Sequence, residues 1–144
     1  MKIRKATKKD LKKISEIMSV EYKKKPYNEK WSKTTSFQKI KDYFKKSYIL
    51  VIEEKKRVVG FIIATTFLWY DGKKALIEEI IIDSKHQNKG LGLRLIEFAE
   101  TFLKKKGVFK IELFANKKSK AFQFYKKRGF KISTKAYYYM WKEL

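Results

Sequence analysis

Cysteine is absent from the 144 residues. That excludes disulfides, thiolate zinc sites, a cysteine nucleophile and iron–sulfur clusters together, and it fits a reducing compartment. Histidine occurs once, at His86, so neither a His-based triad nor a two-histidine metal site can be built; His86 reads as an exposed residue, not a catalytic one. No metal is expected. One proline and six glycines exclude a collagen-like or linker-like chain. Long apolar runs are missing too. The longest, residues 58–70, is interrupted by Gly60, Thr65 and Thr66 and falls short of the roughly 20 residues that a membrane span needs. The N-terminus carries no apolar secretory segment. These absences predict a cytoplasmic protein with no membrane partner.

Acids are scarce: 15 Asp and Glu stand against 37 Lys and Arg, a formal net charge of +22. Such a field draws polyanions, and nucleic acid is the first candidate. Arginine, which does most bidentate base reading, is confined to Arg4, Arg57, Arg94 and Arg128. The lysines are scattered in twos and threes, at 23–25, 104–106 and 126–127, and form no single stripe. No specific nucleic-acid partner is expected, whereas an anionic ligand such as a nucleotide-bearing cofactor would feel the same attraction. Apolar residues are plentiful at 44%, with 16% aromatic, enough to give one domain of residues 1–144 its own core.

The hydrophobic period predicts a strand at 3–5 and then a helix to about residue 24. That helix starts at Thr7 and Asp10, a capping-box-like pair, and its stripe is Leu11, Ile14, Ile17, Met18 and Tyr22. A second helix is capped within 34–36 and striped by Phe37, Ile40, Tyr43 and Phe44. Residues 23–36 read as a polar, mobile loop. Extended segments follow at 48–53, 57–68 and 76–82, the last two joined at Asp71-Gly72, a hairpin signal. The triple Ile80-Ile81-Ile82 suggests a strand covered on both faces. After the loop at 87–92 a helix, with Leu95, Ile96, Ala99, Phe102 and Leu103 on its apolar face, runs to a stop at Gly107, then come a strand at 109–114, a short helix from 119 or 120 to 127, and a last extended pair at 130–132 and 136–141. The expectation is a mixed α/β (α+β) fold: six to seven mostly antiparallel strands flanked by about four helices.

Chemistry concentrates where residues 76–82 pass into Gln87-Asn88-Lys89-Gly90-Leu91-Gly92. Two glycines free the backbone for conformations and close approaches that a Cβ blocks. The first helical turn then offers unpaired N–H groups and a partial positive charge, a cradle for phosphate that Lys89 and Arg94 would supplement. The loop lacks the Gly-Lys-Ser/Thr ending of a P-loop and the third glycine and ribose-binding acid of a dinucleotide fold. On the glycines alone, a tight strand-to-helix turn explains it equally well.

The stretch from Ile80 to Gly92 resembles the central motif of the GNAT superfamily of acetyl-CoA-dependent N-acyltransferases, whose loop reads Arg/Gln-x-x-Gly-x-Gly/Ala after a hydrophobic strand. A second match lies downstream. Residues 121–130, Ala-Phe-Gln-Phe-Tyr-Lys-Lys-Arg-Gly-Phe, resemble the family's Ala-x-x-x-Tyr helix ending in Gly-Phe, and the predicted element order agrees over nearly the whole chain. The resemblance implies acetyl-CoA as co-substrate. Gln87, Asn88, Lys89, Gly90, Leu91 and Gly92 would hold its pyrophosphate, with Leu93 or Arg94 at the edge. Ile80, Ile81 and Ile82 would pair their main chain with the pantetheine arm, and one N–H there would polarise the thioester carbonyl. Tyr125 would protonate the leaving thiolate, a role that suits a phenol; the competing reading is a packing aromatic. The family often places an Asn three residues before the motif Ala. That position is Lys118 here, and Asn116 is carried as its substitute.

An acceptor ammonium must lose a proton before it attacks. Glu78 and Glu79 are the acids of the strand leading to the loop, and Ile77-Glu78-Glu79-Ile80 resembles the acidic strand of diamine acetyltransferase-like members. That resemblance makes Glu78 the candidate base and Glu79 a substrate contact, with a water chain as the alternative. Strand alternation predicts that only one of them faces the site. The implied reaction is acetyl transfer by direct attack in a ternary complex. The acceptor is a small amine, a polyamine or an amino-acid-like metabolite, with a protein amino group as the alternative. A basic nucleic-acid-binding module on the same scaffold is the reading from a different class. A polyamine acceptor would need a locally acidic pocket in so basic a chain. Tyr137–Tyr139 and Trp141 are candidates to line a pocket or a homodimer interface, with plain hairpin packing as the alternative.

Overall fold

Five strands line up in one sheet in chain order, the simplest outcome for successive hairpins. They are β1 (Lys2–Lys5), β2 (Tyr48–Glu54), β3 (Arg57–Trp69), β4 (Gly72–Ile82) and β5 (Lys110–Leu113). The first three pairings are antiparallel and β4–β5 is parallel. Helices α1 (Leu11–Tyr22) and α2 (Lys33–Lys46) precede β2, α3 (Leu91–Lys105) links β4 to β5, and α4 (Lys120–Lys127) follows. The computed structural model describes residues 1–133 and 138–144, in two compact units, Met1–Phe114 and Ala115–Leu144. Among the described residues no helix is long and apolar enough to cross a membrane.

Period-2 alternation sorts the strand residues of the first unit onto two faces. Val51, Phe61, Ile63 and Ile81 meet Ile14, Met18 and Ile40 of α1 and α2 in one buried cluster. Leu50, Ile52 and Ile62 fall on the other face, where α3 buries Leu95, Ile96, Ala99 and Leu103 against β2, β3 and β4. Each such side chain taken fully out of water contributes roughly 1.5–3 kcal/mol. Of the triple isoleucine, only Ile81 is buried; Ile80 and Ile82 on the other face are half-buried, so the strand is covered less fully than its pattern predicts. Thr7 and Asp10 do pair: the Asp10 carboxylate accepts from the Thr7 amide (2.7 Å) and hydroxyl (3.0 Å). Arg4 forks onto Asp10 at 2.8 and 3.0 Å and reaches Glu53 through Nε at 2.9 Å, tying β1 to β2. The guanidinium holds the Asp10 carboxyl down at about 2.

Among the described residues the sheet has five strands, not the six to seven read from the sequence. Residues 130–132 and 138–141 carry no strand, and residues 136 and 137 of the expected hairpin lie outside the described residues. Lys131, Ile132 and Tyr138 to Trp141 are exposed, so these described residues bury no face that would favour a ladder. The loop before α2 is also shorter and more ordered than its polar composition predicts. Ser32, not a residue of 34–36, caps α2 by accepting from the Thr35 amide at 3.0 Å. Trp31 packs against the α1–α2 cluster, and the Tyr27 ring stands edge-on to Tyr22 with centroids 4.9 Å apart.

Two features of β4 shape its C-terminal half. Gly60 faces its end: a Cβ there would lie 2.9 Å from the Ile81 carbonyl oxygen and would collide with Ile82 Cδ1, so only glycine lets β3 approach so closely. Further back, Ile63 pairs with Glu79 but Ala64 with Ile77, which leaves Glu78 as the extra residue of a β-bulge.

Candidate active site

The bulge overturns the alternation argument. Regular pleating would turn Glu78 and Glu79 to opposite faces, but the added residue brings both carboxyls to the α1–α2 side. The Tyr22 hydroxyl, at the end of α1, donates to Glu79 Oε2. The Tyr43 hydroxyl, on α2, donates to Glu78 Oε2 at 3.4 Å. Glu79 is buried, and burial is the main cause that pushes its carboxyl up to about 7; the Tyr22 hydrogen bond and the Lys39 charge offset part of this. Burial and the adjacent carboxylates push both phenols well above the ordinary tyrosine value. Tyr22 and Tyr43 therefore stay protonated and act as fixed donors. Glu29 adds a third acidic charge felt by Glu79, so the three acids make a local acidic island in a strongly basic chain, with Lys39 the cation that acts on it.

The bulge is also where β4 loses its neighbour. The parallel ladder runs from Lys74↔Lys110 to Ile77↔Leu113 and stops. Over residues 78–82 the β5-side edge of β4 has no strand beside it among the described residues. That leaves about 13 Å of extended backbone that no strand pairs along this edge, with the Ile82 carbonyl taken by the Gln87 side chain. The side chains there are structural: Ile81 is buried in the α1–α2 core, while Ile80 and Ile82 are half-buried on the opposite face.

The open edge leads into the glycine loop. Asn88 (φ 61°) and Gly90 (φ 74°) both adopt the left-handed conformation and turn the chain into α3, with Gly90 as its N-cap. The first intrahelical bond runs from the Arg94 amide to the Gly90 carbonyl at 3.1 Å, so the amides of residues 91–93 have no helical partner. Gln87, Asn88, Lys89 and Gly90 are exposed, and nothing lies within 4 Å of where a Gly90 Cβ would stand. The space in front of the helix is open, as a phosphate cradle requires. Leu91 is buried in the core, so it can offer only its main chain. The Gln87 side chain donates to the Ile82 carbonyl (2.7 Å) and to Glu21 (3.5 Å) and so shapes the loop. Lys89 and Arg94 are exposed cations.

The sequence reading missed Glu21. From the end of α1 its Oε1 accepts from the Ser84 amide (3.0 Å) and Lys24 Nζ (2.8 Å), which clamps the loop to the helix. Its neighbour Tyr22 binds Glu79, so a single helical turn positions both the loop and the acid pair. His86 is only partly exposed, less free than its sequence context predicts, because its ring pairs with Glu54 at 2.7 Å. Among the described residues no group of His, Asp and Glu is placed to hold a metal ion.

In the second unit, Asn116 Oδ1 accepts from the Lys118 amide at 2.9 Å, and Ser119 caps α4. Asn116 therefore works in the turn that starts the helix. Tyr125 is buried on α4, its ring edge-on to Phe124 (5.5 Å) and Phe130 (5.6 Å).

The profile of the Acetyltransferase (GNAT) family matches residues 11–130, and the chain belongs to that family. Members of that family are acetyltransferases that use acetyl-CoA. It is 34% identical over 100 residues to glucosamine 6-phosphate N-acetyltransferase of Arabidopsis thaliana, a match covering 65% of this chain and 64% of that protein. Its fold is similar to that of a possible acetyltransferase from Clostridium difficile 630, with a TM-score of 0.84 at 18% identity and 99% and 98% of the two chains covered. It is likewise similar to the aminoglycoside 6'-N-acetyltransferase of Acinetobacter haemolyticus, with a TM-score of 0.78 at 18% identity and 99% of each chain covered.

Proposed function

We propose that the chain, working as one N-acetyltransferase domain of residues 1–144, moves an acetyl group from acetyl-CoA to a primary amine by direct attack in a ternary complex. The observation that carries this is the junction at residue 78. There one β-bulge ends the β5 ladder, opens the β4 edge toward the glycine loop and turns two carboxylates to a common face. The open edge and loop fit the co-substrate: backbone N–H and C=O groups of residues 78–82 for its amides, and the amides of residues 91–93 with Lys89 for its phosphates. Acetyl-CoA supplies the activated thioester carbonyl.

The remaining work belongs to side chains. Glu78, the less buried acid, meets the incoming ammonium. Glu79, held near neutrality by burial, takes its proton directly or through a water, because a base works best with a pKa near the operating pH. This reverses the division of labour that the resemblance implied. Tyr22 and Tyr43 fix the two carboxylates, and Tyr125 gives the leaving thiolate its proton. The acidic island in a +22 chain favours a small aliphatic amine or polyamine as acceptor. The Arabidopsis relative, named for glucosamine 6-phosphate, supports an amino-sugar phosphate as the second reading.

Gly92→Asp puts a side chain and a negative charge at the start of α3. Calorimetry is expected to show CoA affinity falling at least tenfold, on the order of 1.4 kcal/mol, and acetyl transfer to an amine panel falling with it. Unchanged CoA affinity would remove the loop from the site.

A further inference from the structure

The acid pair is bordered by a second feature that the acetyl-transfer chemistry does not use. Lys39 rises from α2, one turn before Tyr43. The residue is half-buried, and its ammonium lies 4.8 Å from the centroid of the Tyr43 ring and 5.7 Å from that of Trp31. Both distances are within the range of attraction between a cation and an aromatic face. No carboxylate stands within 4 Å of it among the described residues, although its charge reaches Glu79. Lys74 and Lys106 also each lie over two rings, Trp69 with Phe109 and Tyr48 with Phe102; Lys39 differs in standing beside the acid pair, where its charge acts on Glu79. Lys46, 6.0 Å from the Tyr43 centroid, is exposed and approaches no second ring among the described residues.

We infer that the Trp31 and Tyr43 rings form an ammonium subsite of the acceptor pocket, which Lys39 fills in the free protein and an aliphatic amine must take from it. The inference rests on the acetyltransferase reading and names its acceptor class: a primary ammonium at the end of a flexible, unbranched methylene chain, as in diamines and polyamines. The chemistry of the occupant is the argument. The rings hold a primary ammonium on a four-carbon stem, at the edge of the carboxylates that would deprotonate an acceptor. An ammonium entering there passes from the Tyr43 face to Glu78, which the Tyr43 hydroxyl already holds. Lys39 thereby sets specificity, since an acceptor binds only by offering the rings and acids more than the resident side chain does. An acceptor that presents an anionic group at this point would instead be read by Lys39 itself.

Steady-state acetylation of 1,4-diaminobutane and of glucosamine 6-phosphate by wild type, Lys39→Met and Lys39→Arg separates these roles. Lys39→Met, which keeps the stem and removes the charge, is expected to lower KM for the diamine on the order of tenfold, about one partly desolvated cation–ring contact. Lys39→Arg, which keeps a cation on the rings, is expected to hold KM near the wild-type value. Calorimetry of the diamine with each variant, without acetyl-CoA, is expected to show the same order and reads the subsite whether or not transfer occurs. A diamine affinity that is unchanged or weaker in Lys39→Met overturns the inference, as does a KM for the sugar phosphate that rises in that variant while the diamine's stays fixed. Failure of the acetyltransferase reading has a different signature: no acetyl transfer to any amine by wild type.

Discussion

Glu79→Gln is expected to lower kcat/KM on the order of 10²–10⁴-fold at neutral pH, the usual contribution of a general base. Its pH profile is the sharper test. Burial holds the Glu79 carboxyl at about 7, so wild-type kcat/KM should rise through that value as the base is uncovered. The variant should lose this limb and keep only the slow increase that comes from the free amine itself. Glu78→Gln should act chiefly on KM for the amine. Stability gives an independent reading with the opposite sign. The folded-state value lies above the ordinary value of 4.5, so this group's contribution is complete below pH 4.5 and is lost as pH rises through about 7. Above neutrality the neutral glutamine should therefore raise Tm relative to wild type. A wild-type pH profile in Glu79→Gln would move the base elsewhere, to Glu78 or a water chain.

Tyr125→Phe is the second large effect. The substitution removes one hydroxyl and keeps the ring that packs against Phe124 and Phe130, so folding and CoA affinity are expected to persist. Without a proton donor for the leaving thiolate, kcat should fall on the order of 10²–10⁴-fold. Acetyl donors with better leaving thiols should recover part of the loss, because they need less help from an acid. An undiminished kcat at saturating substrates would leave Tyr125 as a packing residue.

The order of elements, the loop and the acid pair were legible because each has a local signature. Helical stripes, β-branched runs, Asp71-Gly72 and the Gly90–Gly92 spacing depend on neighbours in the chain, and the elements fell close to where those signals put them. What was not legible depends on long-range register. The bulge at Glu78 exists only because Ala64 pairs with Ile77 and not with Glu78. No local pattern records that pairing, and strict alternation therefore separated two carboxylates that the sheet brings together. Tyr22 and Tyr43 were visible only as members of apolar stripes. A buried phenol needs a hydrogen-bond partner, which was the available hint that they reach polar groups at the sheet. Trp31 sat in a segment read as a polar loop, and Glu21 and Lys39 on helices of which only the apolar stripes were read. The missing strands fail for the converse reason: aromatic residues near the C-terminus suit a strand locally, but the described ones there are exposed.

Hydrogen exchange of backbone amides with and without CoA tests the central claim most directly, since it reads the main-chain groups assigned to the co-substrate. CoA is expected to slow exchange at residues 78–82, along the open edge of β4, and at residues 87–92, across the loop into α3. The β1–β2 ladder, far along the sheet from this edge, should be unaffected. Protection that left both segments unchanged and appeared elsewhere would contradict the account, because the bulge, the open edge and the glycine loop would then not be where the thioester is held.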